Sequence, residues 1–359
     1  MCCILINLMT ILFLIMSIQR NKFFYSHAAG RRSKGDCLSF LISLTGAAMS
    51  HLQIRELSPE VALVAKTELN ENPSKIGEDI EYLRKWLQMQ QHIVPRTDDQ
   101  FLVSFLRGCK YSYEKSKEKL DMYFTVRSAI PEFFYDRDPS YTNLKEAISR
   151  GVTLPLPIPE KYNSSRVMLI RHGVYDPQKL GIEDVMKVAY MINDILIMED
   201  DFAIVCGQTI LIDLRGLTLS HVGQCTPSII KKMTHSIQEA YPVRQKGIHF
   251  VNPSSIFDAV FKIFYNFMSS KIKKRIFVHD SFESLYKHIN KEILPTEYGG
   301  NAGSVQSIAD EWQRKLMEKR DWFIDDGKYK TDESKRLVKS SKNEELFGTV
   351  GSFRKLEVD

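Results

Sequence analysis

The order of apolar and polar residues predicts two kinds of structure along this chain. Apolar residues recur at helical spacing through residues 58–130, which predicts an all-helical N-terminal bundle. The proline-rich stretch Leu154–Pro159 interrupts any helix, so we take it as the junction between two lobes. Beyond it, helix-period segments alternate with short apolar runs, which predict strands at Val167–Ile170, Thr209–Leu214, Ile248–Val251 and Ile276–Val278. Apolar strands separated by helices indicate a mostly parallel sheet covered by helices, so the predicted fold class is α/β.

Local signals place the starts of several helices. Ser58-Pro59-Glu60 puts a proline in the first turn, and Thr97-Asp98-Asp99-Gln100 has the pattern of a capping box ahead of an apolar run. A long helix is predicted from Glu183 to about Met198. We therefore divide the chain into four regions: an extension at 1–48, a helical module at 49–150 with its core at 75–130, a sheet domain at 151–303, and a C-terminal helix with a polar tail at 304–359.

The segment between the third and fourth predicted strands has a wide apolar face. Helical spacing relates the members of this face, which are Ile256, Phe257, Val260, Phe261 and Phe264. Four cations follow them: Lys271, Lys273, Lys274 and Arg275. Two interpretations stay open. One is a core helix with a solvated basic end, and the other is a helix that opens at an anionic membrane surface.

Composition and charge exclude several classes of function. The chain has 359 residues, 43% hydrophobic and 26% charged, with a net charge of only +5, so no strong overall field attracts nucleic acid. The six cysteines show no paired spacing beyond the adjacent Cys2 and Cys3, which argues against a disulfide framework or a zinc site. No nucleotide-binding glycine loop or metalloprotease motif occurs, so we expect neither a cofactor nor a metal.

The first 48 residues differ from the rest. They contain five cationic residues against one aspartate, and the run Cys2–Ile18 is almost wholly apolar. Three interpretations compete: a marginal membrane anchor through residues 2–18, a degenerate signal peptide, or an upstream extension with Met49 as the working initiator. The abrupt change of composition at Met49 favours the third.

Few residues suggest catalysis. Asp213 at a predicted strand end, His221 and Cys225 could form a hydrolase constellation, but no nucleophile-elbow motif occurs. We expect Asp213 to cap a turn and His221 to pack a loop. For His172, His249 and His279, within or beside strands, we likewise expect structural roles. We therefore predict no catalytic residue.

Four separated motifs resemble one known family. Phe101–Arg107 with Lys110-Tyr111 resembles the N-terminal helical module of CRAL-TRIO proteins. Ile212–Gly216, Gly247–Asn252 and Leu294–Gly300 resemble the strands and closing segment of the CRAL-TRIO lipid-binding domain. The motifs occur in order across residues 75–320 and are most similar to the tocopherol transfer branch, including its insect members.

The resemblance implies a bowl-shaped sheet that holds one hydrophobic small molecule under a mobile gate helix, here carrying Ile256, Phe257, Val260, Phe261 and Phe264. The implied cavity positions are Met186, Ala189, Tyr190, Asn193, Ile212, Met233, Ile237, Tyr241, Val243 and Ile248. The implied phosphoinositide-binding residues are Arg244, Lys246, Lys271 and Arg275. One family arginine falls on Cys109, with Lys110 adjacent, which weakens the expected share of the N-terminal module in the headgroup site.

From the resemblance we expect a non-enzymatic, monomeric carrier of tocopherol, a retinoid or a similar lipid. Its release would be coupled to phosphoinositide-containing membranes, and it would bind no nucleic acid. The alternative is a lipid-sensing trafficking or signalling adaptor without net transfer. The expected location is cytoplasmic and peripheral at endosomal or plasma membranes, or membrane-anchored if residues 2–18 form an anchor.

Overall fold

The protein has a mixed α/β fold, as predicted. The computed structural model describes residues 52–158, 164–226, 228–229, 232–233, 236–253 and 274–337. Within these residues, no helix is both long and apolar enough to cross a membrane. Residues 2–18, for which a membrane anchor is one of the three interpretations, lie outside the described residues.

The N-terminal module consists of helices, as the spacing of apolar residues predicts. They are α1 (Pro59–Leu69), α2 (Ile76–Gln88), α3 (Asp99–Gly108), α4 (Tyr113–Ala129), α5 (Pro131–Phe134) and α6 (Thr142–Ser149). Ser58 caps α1 by accepting a hydrogen bond from the Val61 amide, as expected. The predicted cap of α3 is wrong by one residue, because Asp98 rather than Thr97 accepts from the Phe101 amide at 3.0 Å.

The second lobe is built on a five-stranded sheet whose strands lie in the order β1-β2-β3-β4-β5. Their bounds are β1 (Thr153–Pro155), β2 (Arg166–Ile170), β3 (Gln208–Asp213), β4 (Gln245–Val251) and β5 (Ile276–His279). The four predicted strands are all present and pair in parallel, whereas β1 pairs antiparallel with β2. The sequence does not predict β1, because the prolines of Leu154–Pro159 indicate only a junction between lobes. Pro155 is tolerated there because an edge strand leaves one row of backbone groups unpaired.

Helices α7 (Ile182–Glu199), α8 (Asp201–Cys206), α9 (Leu219–Gln224) and α10 (Phe282–Tyr286) belong to the same lobe. Two further helices, α11 (Val305–Glu318) and α12 (Arg320–Asp326), follow the sheet. A short helix of π type covers Ser236–Ala240. The predicted long helix from Glu183 to about Met198 is therefore confirmed within one residue at each end.

A buried ion cluster fixes α7 against the helical module. Asp194 accepts two hydrogen bonds from Arg127, both at 3.0 Å, and another from Arg137. The hydroxyl groups of Tyr123 and Tyr241 donate to the same carboxylate at 3.2 and 2.9 Å. Burial alone would raise the pKa of Asp194, but the two arginines outweigh it and hold this pKa below its usual value. The cluster thus joins α4, α7 and the segment before β4.

One face of the sheet is closed by close packing. Leu169, Leu211, His249 and Val251 alternate onto this face and are almost fully buried. His249 stacks on Phe277 with 4.7 Å between ring centroids, and its Nδ1 lies 2.9 Å from Nε2 of His279. These contacts join β4 to β5, which is a structural role of the kind expected for both histidines. We call His249 and His279 the histidine clasp.

Removing the carboxylate of Asp194 should strongly destabilise the protein. Asp194→Ala leaves the buried Arg127 and Arg137 facing Asp326 with one negative charge too few, and breaking a buried ion pair in this way typically costs about 3–5 kcal/mol. Asp321→Ala removes the same charge from a side chain that is 97% exposed, and surface changes of this kind usually stay within about 0.5 kcal/mol. Urea unfolding of both variants measures the difference, and equal free energies of unfolding would contradict the role assigned to the cluster.

The histidine clasp should make stability depend on pH. Burial, with smaller effects from His279 and His288, lowers the pKa of His249 from 6.5 to about 3. Between pH 6.5 and 3, His249 binds a proton in the unfolded chain but not in the folded chain. The contribution of the neutral His249 to the free energy of unfolding is therefore complete above about pH 6.5 and is lost as the pH falls towards 3. In His249→Gln, the free energy of unfolding should fall less steeply between pH 6.5 and 4 than in the native protein. Denaturant unfolding across this range measures both slopes, and identical slopes would count against the clasp.

Candidate ligand-binding site

The second face of the sheet is apolar but only partly covered. Parallel pairing aligns Met168, Ile210, Ile248 and Ile276 in one row and Ile170, Ile212, Phe250 and Val278 in the next row on the same side. Ile170, Ile210, Ile212 and Ile248 are only half-buried, although their strands have neighbours on both sides. We call these four residues the isoleucine face. A half-buried apolar surface of this kind gains free energy when a hydrophobic molecule covers it.

Helix α7 forms the wall beside this face. The predicted cavity residues Met186, Ala189, Tyr190 and Asn193 follow helical spacing and share one side of the helix. The side chain of Gln208 lies on the same face of β3 as Ile210 and donates to Oδ1 of Asn193 at 3.5 Å. This contact places Asn193 at the edge of the isoleucine face. Ala189, one turn earlier on the same side of α7, is likewise half-buried.

Two of the predicted cavity residues are tightly enclosed. Tyr190 and Tyr241 are each 1% exposed and stack at 5.5 Å between ring centroids. The hydroxyl of Tyr190 donates to the Met233 carbonyl at 3.3 Å, and that of Tyr241 donates to Asp194. Both rings therefore belong to the packing between the lobes, and their contact with a ligand stays a prediction.

The other predicted cavity residues lie in the same part of the fold. Met233 is buried, while Ile237 and Val243 are half-buried and pack against the main core. The predicted gate residues Ile256, Phe257, Val260, Phe261 and Phe264 lie outside the described residues, as does Lys271.

Three of the four predicted headgroup residues gather at the amino edge of the sheet. Arg244 and Lys246 stand at the start of β4, and Arg275 immediately precedes β5. The Arg275 carbonyl accepts from the Ile248 amide at 2.9 Å, which fixes the two strand starts side by side. We call Arg244, Lys246 and Arg275 the basic edge. The backbones of these three residues therefore lie at one edge of the sheet, although Arg244 and Arg275 are 31 positions apart in the sequence.

A carboxylate that the sequence did not reveal lies on this edge. Oε2 of Glu68, in α1, is 3.0 Å from Nζ of Lys246 and 3.8 Å from a guanidinium nitrogen of Arg244. The hydrogen bond from Lys246 lowers the pKa of Glu68, with further lowering by the charges of Lys246, Arg244 and Lys110. Nothing in the sequence signals this contact, because Glu68 precedes Lys246 by 178 positions.

Arg244 is held more tightly than its neighbours. Its side chain is 13% exposed and also donates to the Val205 carbonyl. Burial lowers the pKa of Arg244, and Glu68 partly offsets this effect. The positive charge of Lys110, beside the buried Cys109, makes a smaller contribution to lowering the pKa of Glu68.

The residues considered for catalysis have structural partners instead. Asp213 accepts from Arg215, from Asn252 at 2.8 Å and from the Tyr298 hydroxyl at 2.6 Å. His221 lies between Oγ1 of Thr218 at 2.8 Å and the Tyr175 carbonyl at 2.9 Å, and the Thr218 hydroxyl belongs to the cap of α9. No hydrogen bond found among the described residues joins Asp213 to His221.

The described residues also show whether a metal site or a second ligand cavity is present. In the described part of the chain, no group of three or more histidine, cysteine, aspartate or glutamate side chains is arranged to hold a metal ion. A surface groove of about 410 Å³ in the helical module is lined by residues such as Trp86, Met89 and Lys117. None of the predicted ligand or headgroup residues lines it.

Comparison with known proteins gives a consistent assignment. Residues 159–300 match the CRAL/TRIO domain, and residues 72–144 match the Pinta-like UBA domain. A Homo sapiens protein named alpha-tocopherol transfer protein-like is 31% identical over 270 residues, which cover 75% of this chain and 77% of that protein. Clavesin-2 of Homo sapiens is 30% identical over 298 residues, covering 82% of this chain and 89% of that protein. The crystal structure of Sfh5 aligns with a TM-score of 0.41 at 13% identity and covers 74% of this chain and 100% of that one. Because residues 159–300 match the CRAL/TRIO domain and the first two relatives are at least 30% identical over three quarters or more of both chains, the chain belongs to the CRAL-TRIO family.

Proposed function

We propose that this protein binds one hydrophobic small molecule on the isoleucine face and carries it between membranes without catalysing a reaction. The half-buried isoleucine face in the middle of the sheet is the observation that carries the proposal. The ligand is a lipid of the class named by one relative, such as tocopherol, or a retinoid or similar molecule. The protein acts as a monomer on the cytoplasmic surface of endosomal or plasma membranes.

The energetics of such a ligand require a trigger for release. Burying roughly twenty ligand carbons at about 0.8 kcal/mol each gives about 16 kcal/mol before the costs of ordering. Capture is therefore favourable, but spontaneous escape into water is slow. A carrier that empties at a particular membrane needs an interaction that forms only there.

The basic edge supplies a suitable interaction. Arg244, Lys246 and Arg275 lie together at the strand starts, and Lys271 is proposed as a fourth member. Arginine offers paired donors to phosphate oxygens, and each cation near an anionic bilayer contributes roughly 1 kcal/mol. We propose that a phosphoinositide headgroup binds this edge and favours opening of the gate carried by the segment between β4 and β5.

Filling the space beside α7 should abolish ligand loading. Ala189→Trp adds an indole at the edge of the isoleucine face, where it would occupy the volume of the ligand. Lipid co-purified with the full chain should fall about tenfold or more when counted by mass spectrometry, since displacing even two buried methylenes costs more than 1.4 kcal/mol. Met89→Trp places the same side chain on the exposed surface of the helical module and should leave loading unchanged. Normal loading of Ala189→Trp, with its fold intact, would place the ligand elsewhere.

Neutralising the accessible cations should remove the dependence of transfer on phosphoinositide. The double variant Lys246→Gln/Arg275→Gln spares the mostly buried Arg244, so the fold should persist. Removing two cations should weaken the attraction to an anionic membrane by roughly 2 kcal/mol, which corresponds to about thirtyfold weaker partitioning. The measurement is transfer of a fluorescent tocopherol analogue to acceptor vesicles with and without phosphatidylinositol bisphosphate. Lys145→Gln/Arg150→Gln makes the same charge change on α6 and the residue after it, and should retain the stimulation.

The outcomes separate three accounts. Loss of stimulation only in Lys246→Gln/Arg275→Gln supports the coupling, whereas equal stimulation in both variants leaves only general electrostatic attraction. Native protein that binds the analogue and the vesicles but never delivers its ligand would instead be a lipid-sensing adaptor.

A further inference from the structure

Helix α1 (Pro59–Leu69) carries Glu68 to the basic edge. It precedes both matched family domains, the first of which begins at residue 72. A small apolar cluster attaches α1 to α8, formed by Val61, Ala65, Leu69, Phe202, Val205 and Cys206. A buried pair between Glu71 and Arg107, at 2.8 Å, holds the chain just beyond the helix. The position of Glu68 is therefore set by contacts that do not involve the basic edge.

The contact of Glu68 with the edge is not needed to hold the fold. The side chains of Glu68 and Lys246 are 47% and 40% exposed, and exposed ion pairs add little to stability. Yet the Glu68 carboxylate pairs with Lys246, one of the two accessible cations of the basic edge, and lies beside the guanidinium of Arg244. An anion that binds there must compete with it.

The competition depends on the charge of the incoming headgroup. A carboxylate on the same chain acts at a high effective concentration, so an anion of similar charge gains little by replacing it. Phosphatidylserine brings one net negative charge. A phosphomonoester carries about −1.5 to −2 charges and three acceptor oxygens. A headgroup with two phosphomonoesters therefore binds these cations more strongly than one carboxylate does.

We infer that Glu68 is a specificity-determining residue of the headgroup site, an internal competitor that excludes singly charged lipids and yields to multiply phosphorylated ones. The inference rests on the headgroup site proposed above and adds a reason for its selectivity. The positive charges of Lys110, Arg244 and Lys246 lower the pKa of Glu68. When a headgroup displaces the Glu68 carboxylate, these cations, which come from both lobes, can interact with the headgroup instead.

The test compares Glu68→Gln with Glu60→Gln. Both variants lose one negative charge from α1, but Glu60 lies exposed in the first turn of the helix. Binding of the full chain is measured by co-sedimentation with vesicles containing either phosphatidylserine or phosphatidylinositol bisphosphate at equal total charge. Glu68→Gln should bind phosphatidylserine vesicles about two- to fivefold more tightly, in line with one exposed ion pair. Its preference for the bisphosphate lipid should shrink by a similar factor, and Glu60→Gln should retain the native preference.

The failures of the two proposals can be told apart. If the native protein prefers the bisphosphate lipid through Lys246 but Glu68→Gln behaves like Glu60→Gln, the role of Glu68 is wrong and the headgroup site stands. If neither the native protein nor Lys246→Gln prefers the bisphosphate lipid, the headgroup site itself is wrong. Free inositol trisphosphate and inorganic phosphate are titrated by calorimetry against the same variants. Tighter binding of these soluble anions than of the vesicles would assign the edge to a soluble ligand and overturn the inference.

Discussion

The shared carboxylate of Asp194 is the interaction on which the arrangement of the two lobes depends. It is buried within α7 and takes hydrogen bonds from Arg127, Arg137, Tyr123 and Tyr241. A second carboxylate, Asp326 of α12, pairs with Arg137, so two arginines face two aspartates. A buried cluster of this kind tolerates no loss of a member, because any removal leaves an uncompensated charge in a medium that solvates it poorly. The same helix that the cluster fixes carries the wall of the candidate ligand site.

The two faces of the sheet differ in a way that fits binding rather than catalysis. On the closed face Leu169, Leu211 and His249 are almost fully buried, whereas the isoleucine face keeps accessible apolar surface. Accessible apolar surface in the middle of a fold is costly in water and is stabilised when a hydrophobic molecule covers it. In the function proposed above, the basic edge at the strand starts would supply the polar contact with a membrane.

The sequence predicted the parts of the structure that depend on local patterns. Apolar runs gave the four parallel strands, and helical spacing gave α7 to within one residue at each end. The cap of α3 was misplaced because Thr97 and Asp98 are both good capping residues and only geometry chooses between them. β1 was missed because three residues containing a proline have no periodicity to read.

Contacts between distant residues could not be predicted in the same way. Arg127 and Asp194 lie 67 positions apart, and Glu68 and Lys246 lie 178 apart, so neither pair leaves a local pattern. Resemblance to a family supplied the positions of Arg244, Lys246 and Arg275, but it did not supply Glu68, which precedes the motifs that carry the resemblance, at residues 75–320.

The central claim is that a hydrophobic molecule lies on the isoleucine face. The most direct measurement is NMR of isoleucine δ1 methyl groups in the full chain, loaded with a lipid that carries a nitroxide on its apolar chain. The account predicts strong broadening of Ile170, Ile210, Ile212 and Ile248. The methyl groups of Ile80 and Ile130, which are fully buried in the helical module, should stay sharp. Sharp signals from all four residues of the isoleucine face, with broadening elsewhere, would contradict the account.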